Sequence, residues 1–332
     1  MTSPEKSSQA QITVGSCLGS FFAWCKREPL GALLLTGIIG TLVYFYGTIP
    51  IFLNGRVTAA FWAWDAWKPD MNQEHSKLVL PFMLGLTWYH RHHLRDAIGK
   101  GSPWGLMLVA FGTFLFVISA RMIEARYSLL SVPFLLLGSI WWLFGWKAAR
   151  VMLFTCAFFV FTIPMGAVEQ ATNKLQFIIT AAVDMLSNLV GVKVEAVGTS
   201  LNAVDGTFNF EIAEGCSGVR SLIAMMMLAA VYVHVTQKEL WKKIVIFAAS
   251  GVFAIIGNIG RIFTVILVAK FGDKEIAAGI YHDYSGFVFF PFALLAMLGF
   301  SKLINKHYAS PITRGTDGKP VSKESDKVTY DY

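Results

Sequence analysis

The chain of 332 residues is 55% hydrophobic and 14% aromatic with only 15% charged residues, and its mean hydropathy is positive, so it reads as an integral membrane protein rather than a soluble domain. A formal charge of +7 would suggest nucleic acid in a soluble chain, but Lys and Arg here fall between apolar runs, where they set orientation and touch membrane-lipid headgroups, and no nucleic-acid role follows. Cys17, Cys25, Cys156 and Cys216 show no CxxC spacing, which indicates neither a disulfide framework nor a zinc site, and no metal or cofactor is expected.

Crossing the hydrocarbon takes about 20 apolar residues in a helix. Eight runs approach that length: 30–53, 78–90, 104–120, 129–146, 148–165, 217–235, 244–268 and 286–304. The second is short, and the fourth and fifth are nearly fused. The first exceeds a signal-peptide core and has no small-residue cleavage pattern after it, so it is expected to be retained. The stretch TNKLQFIITAAVDMLSNLVG (172–191) spaces apolar residues helically but carries Lys174, Asp184 and Asn188, which suits a helix lying in the interface. The next stretch, VKVEAVGTSLNAVDGTFNFEIAEG, combines alternation, β-branched residues and Gly turns, the pattern of a small extended or hairpin segment. The expected fold class is an all-α polytopic membrane protein. It has about eight transmembrane helices, with the interfacial helix and the hairpin segment on the extracytoplasmic side. Residues 1–29 are expected to form a cytoplasmic N-terminal segment, 30–305 an integral-membrane catalytic domain, and 306–332 a disordered cytoplasmic tail.

Orientation follows from Lys and Arg density in the short loops. CKREP, RHHLRDAIGKGS, KAAR, TQKELWKK and the C-terminal tail fall inside, which makes this a multi-pass protein of the cell membrane. Cys216 then lies 20 residues above Thr236, roughly 30 Å at 1.5 Å per residue, at the outer edge of the hydrocarbon. Arg261 lies 17 residues above Ile244, roughly 25 Å, and His282 precedes the last helix from the outer side.

Taken singly, each of these side chains has a plain structural account. A cysteine packs as a small hydrophobe, an arginine near a helix end snorkels, and His282 bonds its neighbour Asp283. Their coincidence at one depth singles them out. In EGCSGVRSL (214–222) Cys216 stands at a helix start with Arg220 at i+4, where positive potential lowers a thiol pKa from about 8.5. A histidine can move the proton to a leaving amine, and a guanidinium can hold a developing oxyanion. The candidate catalytic residues are therefore Cys216, Arg261 and His282. Supporting candidates are Arg220, Glu214 to orient it, Asp283 to orient His282, and Asn258, three residues before Arg261 on the same helix face.

EGCSGVRSL, NIGR ending in Arg261 and HDYSG beginning with His282 resemble the Cys, Arg and His signatures of the exosortase/archaeosortase family. WKPDMNQEHSKLVLPF (67–82), ARMIEARYSLLSVPFLLLG and FFVFTIPM resemble its earlier segments, although the family's usual Tyr-Ser-His-Gly is replaced here by Glu74, His75, Ser76 and Lys77. The likeness covers roughly Trp67 to Leu303. It implies a membrane cysteine protease or transpeptidase with Cys216 as nucleophile, Arg261 as transition-state stabiliser and His282 as general acid/base. By the same resemblance the partners are exported proteins whose C-terminal signal combines a short motif such as Pro-Glu-Pro, one transmembrane helix and a basic cluster.

Two other readings fit parts of the sequence. GCSG (215–218) matches the Gly-x-Ser-Gly of rhomboid proteases, with Ser217 as nucleophile and His282 as its base. A transporter would also keep a buried arginine and Gly-containing helices such as SGVFAIIGNIGR, although paired half-repeats are lacking. HExxH is absent, and YHRHHLR (89–95) reads as a charged interface face rather than a metal site.

Overall fold

The computed structural model describes residues 14–68, 73–164, 166–211 and 218–307. The chain divides into two compact units, one holding residues up to Trp67 together with 76–163, the other holding 68–75 and the chain from Pro164 onward. Among the described residues, six helices are long and apolar enough to cross a membrane: Pro29–Thr48, Gly105–Met122, Ala125–Phe144, Val219–Thr236, Leu240–Phe271 and Gly279–His307. The chain is thus a helical multi-pass membrane protein. Large apolar side chains such as Leu84 (73% exposed) and Phe287 (77%) cover its surface, which only a bilayer tolerates in such number.

The first unit contains α1 (Val14–Arg27), α2 (Pro29–Leu42, wound on by a π turn over Val43–Thr48), α3 (Phe52–Gly55), α4 (Ala59–Ala66), α5 (Ser76–Tyr89), α6 (Arg91–Ala97), α7 (Gly105–Met122), α8 (Ala125–Phe144) and α9 (Trp146–Phe158, tightened into a 3-10 turn over Phe159–Thr162). The two expected spans over 78–90 and 148–165 correspond to α5 and α9, helices of 14 and 13 residues, each shorter than the hydrocarbon requires. Gly145 separates the nearly fused fourth and fifth runs. It turns the chain at φ +88°, and a Cβ there would fall 2.6 Å from the Lys100 carbonyl oxygen, so only glycine fits between α8 and α9. The Trp67 indole donates to the Thr162 carbonyl at 3.0 Å and the Ser76 hydroxyl to that of Phe161 at 3.2 Å. These bonds hold the end of α4 and the start of α5 against the turn that follows α9.

The second unit contains α10 (Gly166–Leu189), β1 (Val194–Val197), β2 (Ser200–Ala203), β3 (Asn209–Glu211), α11 (Val219–Thr236), α12 (Leu240–Phe271), α13 (Lys274–Ile276), a π turn over Ala277–Tyr281, and α14 (His282–His307). The expected hairpin segment is a three-stranded antiparallel meander in the order β1-β2-β3. The Asn188 side chain accepts from the Val194 amide and donates to the Val194 carbonyl, so it ties the end of α10 to β1 as a neighbouring strand would.

α12 organises this unit. Its buried residues include Lys242, Ile246, Ser250, Ala254, Asn258, Ile262 and Ile266, a strict step of four. Four residues turn an α-helix by roughly 40° more than one full turn, so the buried stripe winds around the helix. Ile246 and Ala254 pack with Met225 and Ala229 of α11 and Met297 of α14. Ile262, Val265, Ile266 and Ala269 pack instead with Ile179 and Val183 of α10 and with Leu201 and Phe208 of the sheet. The stripe changes partners around Asn258 and Arg261.

At the far end of α12 the Lys270 ammonium pairs with Asp205 in the β2–β3 turn. The Lys270 hydrogen bond, followed by bonds from the Thr207 hydroxyl and amide, lowers the Asp205 pKa to about 2. A depressed carboxylate stabilises the fold above its unfolded pKa, and that contribution is lost as pH falls through the folded value, here between about 4 and 2. Wild type and Asp205→Asn are therefore expected to converge in melting temperature as pH drops through that window, measured by thermal unfolding in detergent. The difference above pH 4 should be small, as for any exposed pair.

Candidate active site

Three elements remote in sequence meet where the two cores adjoin. α12 brings Ala254, Gly257, Asn258 and Arg261 to one face at i, i+3, i+4 and i+7. Asn258 is buried, 4% exposed, directly beneath the start of α11. Gly218 caps that helix in the left-handed conformation, φ +74°, and a Cβ on it would lie 2.5 Å from Asn258 Nδ2 and 2.6 Å from Cγ. Both the backbone conformation and the close approach require glycine.

The third element is the first part of α14. A Cβ on Gly257 would stand 3.1 Å from that of Ala293, and one on Gly260 would stand 3.2 Å from the Phe289 ring. The small residues of α12 thus let α14 come close, as small residues do in membrane helix pairs. That approach seats Ser285, 4% exposed, beside Arg261, whose Nε donates to the Ser285 hydroxyl at 3.1 Å. A cavity of about 30 Å³ lies among Ser221, Asn258, Arg261, Gly286 and Phe289, room for about one water.

A further side chain joins from the residues just before α5. Glu74 Oε2 lies 3.3 Å from Arg220 Nη1, in the first turn of α11. Its neighbours Gln73 and His75 are buried, each 5% exposed, so the segment is packed into this unit at that point.

The transmembrane exosortase family model matches residues 64–299. The chain belongs to the transmembrane exosortase family. The matched region runs from within α4 through most of α14 and so contains every residue of the site just described, while α1, α2 and α3 precede it. No curated protein and no solved structure matches the chain. Family membership gives this exosortase, in general terms, a protease or transpeptidase role in the membrane, acting on exported proteins.

Among the residues expected from sequence, Asn258 and Arg261 of this exosortase line one cavity, and Arg220 stands two residues after Gly218, whose Cβ position meets Asn258. Cys216, Ser217 and Glu214 lie outside the described residues, as do the side chains of His282 and Asp283, whose backbone opens α14. Two details differ from expectation. α11 begins at Val219, after a left-handed Gly218, rather than at the expected 217. The last helix starts at His282 rather than near 286, so that His282 and Ser285 belong to the same first turn of backbone.

Sequence reasoning missed two residues. Ser285 was within reach, because it follows His282 by three residues in HDYSG. Glu74 sits in a stretch that departs from the family pattern, and nothing in its spacing points to Arg220.

Proposed function

We propose that this exosortase is a cysteine protease or transpeptidase that cleaves a C-terminal sorting signal of exported proteins at the extracytoplasmic face of the cell membrane. The observation that carries the reading is the meeting of three distant segments: Gly218 rests on Asn258, and Ser285 bonds Arg261. Cys216 is two residues from Gly218, at most about 7 Å along the chain, and His282 is one turn from Ser285. These short separations along the chain support a common site for the three proposed catalytic residues beside this stretch of α12.

In the proposed reaction the Cys216 thiolate attacks the scissile carbonyl carbon, and the new oxyanion is held by the Arg261 guanidinium. The imidazolium of His282 gives its proton to the leaving amine as the C–N bond breaks, which leaves a thioester on Cys216. An acceptor amine or water then attacks the thioester. Neutral His282 takes the incoming proton, and the thiolate leaves. Arg220 keeps the potential near Cys216 positive and favours the thiolate.

Placement in the bilayer follows the charge pattern. The bundle over 30–305 is the embedded catalytic body, and residues 1–29 and 306–332 lie on the cytoplasmic side. α12 is about 48 Å long at 1.5 Å per residue, more than the roughly 30 Å of hydrocarbon. A helix that starts inside the cytoplasmic leaflet therefore emerges near Arg261 and carries the sheet outside. α10 lies in the interface with Phe177, Ile178, Met185 and Leu189, all exposed, turned to acyl chains. The substrate's basic cluster is held in the cytoplasm, so its motif emerges on the same outer face.

The deciding experiment is to trap the thioester. Membranes containing the enzyme and a tail-bearing exported protein are expected to yield a hydroxylamine-sensitive adduct on Cys216 by mass spectrometry. Cys216→Ala should form none and should leave the substrate uncleaved, whereas Ser217→Ala should still process it. Loss of processing only in Ser217→Ala would move the chemistry to the serine.

Glu74→Gln gives an independent check. Both partners of the Glu74–Arg220 pair are partly exposed, near 40%, so its removal should change stability by less than about 1 kcal/mol. The rate of alkylation of Cys216 by iodoacetamide is expected to rise in this variant, with its pH midpoint lowered, because the Arg220 charge is no longer compensated by the carboxylate. An unchanged alkylation profile would remove Glu74 from the site.

A further inference from the structure

Among the described residues the sheet has an open side. In the order β1-β2-β3 the third strand has one strand partner among the described strands. The Ala203 amide donates to the Phe208 carbonyl at 3.0 Å, and Leu201 is paired with Phe210. The main-chain groups of Phe208 and Phe210 therefore turn toward β2. By the alternation of an antiparallel ladder, those of Asn209 and Glu211 turn away from it.

Between this hairpin and Glu275 of α13 opens a groove of about 600 Å³, lined by Asn202, Thr207, Asn209, Phe210 and Glu275 among others. Its size falls within the roughly 300–1,000 Å³ of ligand pockets. Asn202 Oδ1, on its wall, is buried with no hydrogen-bond partner among the described residues, an acceptor suited to a donor from outside.

We propose that β3 is a docking edge for an extended peptide: the segment of the exported substrate beside its cleavage site lies in this groove and adds a strand to the sheet. The inference rests on the protease reading above and names where the substrate is gripped. An outward row of amides and carbonyls matches another polypeptide in extended form, whose own groups repeat every two residues. A saccharide offers no such repeat. The location also fits, because β3 ends at Glu211, five residues before Cys216. Leu201, Phe208 and Phe210 pack onto Ile262 and Ile266 of α12, in the turns that follow Arg261. A strand bound along β3 is thus delivered toward the proposed nucleophile.

The test uses the full-length protein in membranes with a co-expressed exported protein that carries a C-terminal signal. With benzoylphenylalanine at Thr207 in a Cys216→Ala background, irradiation should link the enzyme to the substrate polypeptide. The same probe at Val197, exposed on β1, should give little. Adducts from Val197 alone, or an adduct carrying polysaccharide in place of polypeptide, would overturn the proposal.

Asn209→Pro removes an outward amide while leaving the pairs of Phe208 and Phe210 intact. It is expected to lower crosslinking and processing about tenfold, the worth of one lost hydrogen bond, while Asn209→Ala keeps both. If the proline variant fails to accumulate, competition by N-methylated peptides serves instead. Loss of competition at alternate residues supports strand addition, and loss without that period overturns it. The two readings fail separately. Processing by Cys216→Ala would end the cysteine chemistry and leave a Thr207 adduct standing, whereas normal wild-type processing with no Thr207 adduct would end the groove alone.

Discussion

Under the proposed mechanism, Arg261→Ala is expected to slow substrate cleavage by about 10²–10³-fold, with membrane levels of the protein little changed. Removing one donor from a developing oxyanion costs roughly 2.7–4 kcal/mol of transition-state stabilisation, and the loss should fall on kcat. Arg261→Lys should recover little. A guanidinium can give Nε to Ser285, as Arg261 does at 3.1 Å, and still present its two terminal nitrogens, whereas an ammonium is a single point of charge on a flexible stem. Ser285→Ala provides the graded case, in which the charge stays and its anchor goes, and a fall of about tenfold is expected. Quantifying processed substrate over time in membranes normalised for enzyme checks all three. Full turnover by Arg261→Lys would show that positive charge alone suffices and that the Ser285 anchor is irrelevant to the chemistry.

Gly218→Ala is the second large effect. The left-handed conformation costs an L-residue roughly 1–2 kcal/mol, and the new methyl would also stand 2.5 Å from Asn258 Nδ2, an overlap of the kind that costs about 1–3 kcal/mol in a packed core. Together these should destabilise the protein by about 2–5 kcal/mol and displace the start of α11, with activity reduced accordingly. The overlap can be separated from the strain. In Gly218→Ala/Asn258→Ala the steric component should be relieved while the backbone component persists, so the double variant should be more stable than the two single losses added together. Thermal unfolding in detergent, followed by tryptophan fluorescence, reads all four proteins. Strict additivity would mean that Gly218 and Asn258 do not press on each other.

Much of this was legible in the sequence because membrane helices announce themselves by length. The runs at 104–120, 129–146, 217–235 and 244–268 reappear as α7, α8, α11 and α12, and the alternation after Gly191 reappears as strands. Arg261 and Asn258 could be placed on one face because spacing inside a long helix is regular. What escaped was set by close approach rather than by periodicity. GCSG reads equally well as a serine-protease motif, yet Gly218 is required by its positive φ and by the side chain of Asn258 below it, a demand that exists only once α11 and α12 are packed. Glu74 escaped for a related reason. A carboxylate in a loop far upstream carries no periodic signal, and only folding brings it to Arg220. α9 stops short of the expected 165 because apolar composition runs past the residues that stay helical.

The winding stripe of α12 has a consequence for how this chain can vary over evolutionary time. One uninterrupted helix faces the bundle with Ile246 and Ala254 and faces the sheet with Ile262 and Ile266, so the phase between the two is fixed by the count of residues separating them. Gaining or losing a single residue there would rotate one end against the other by roughly 100°, with no loop to absorb the error. Changes of length should therefore accumulate in the hairpin turns and be excluded between 246 and 266, which makes that stretch the ruler of the fold.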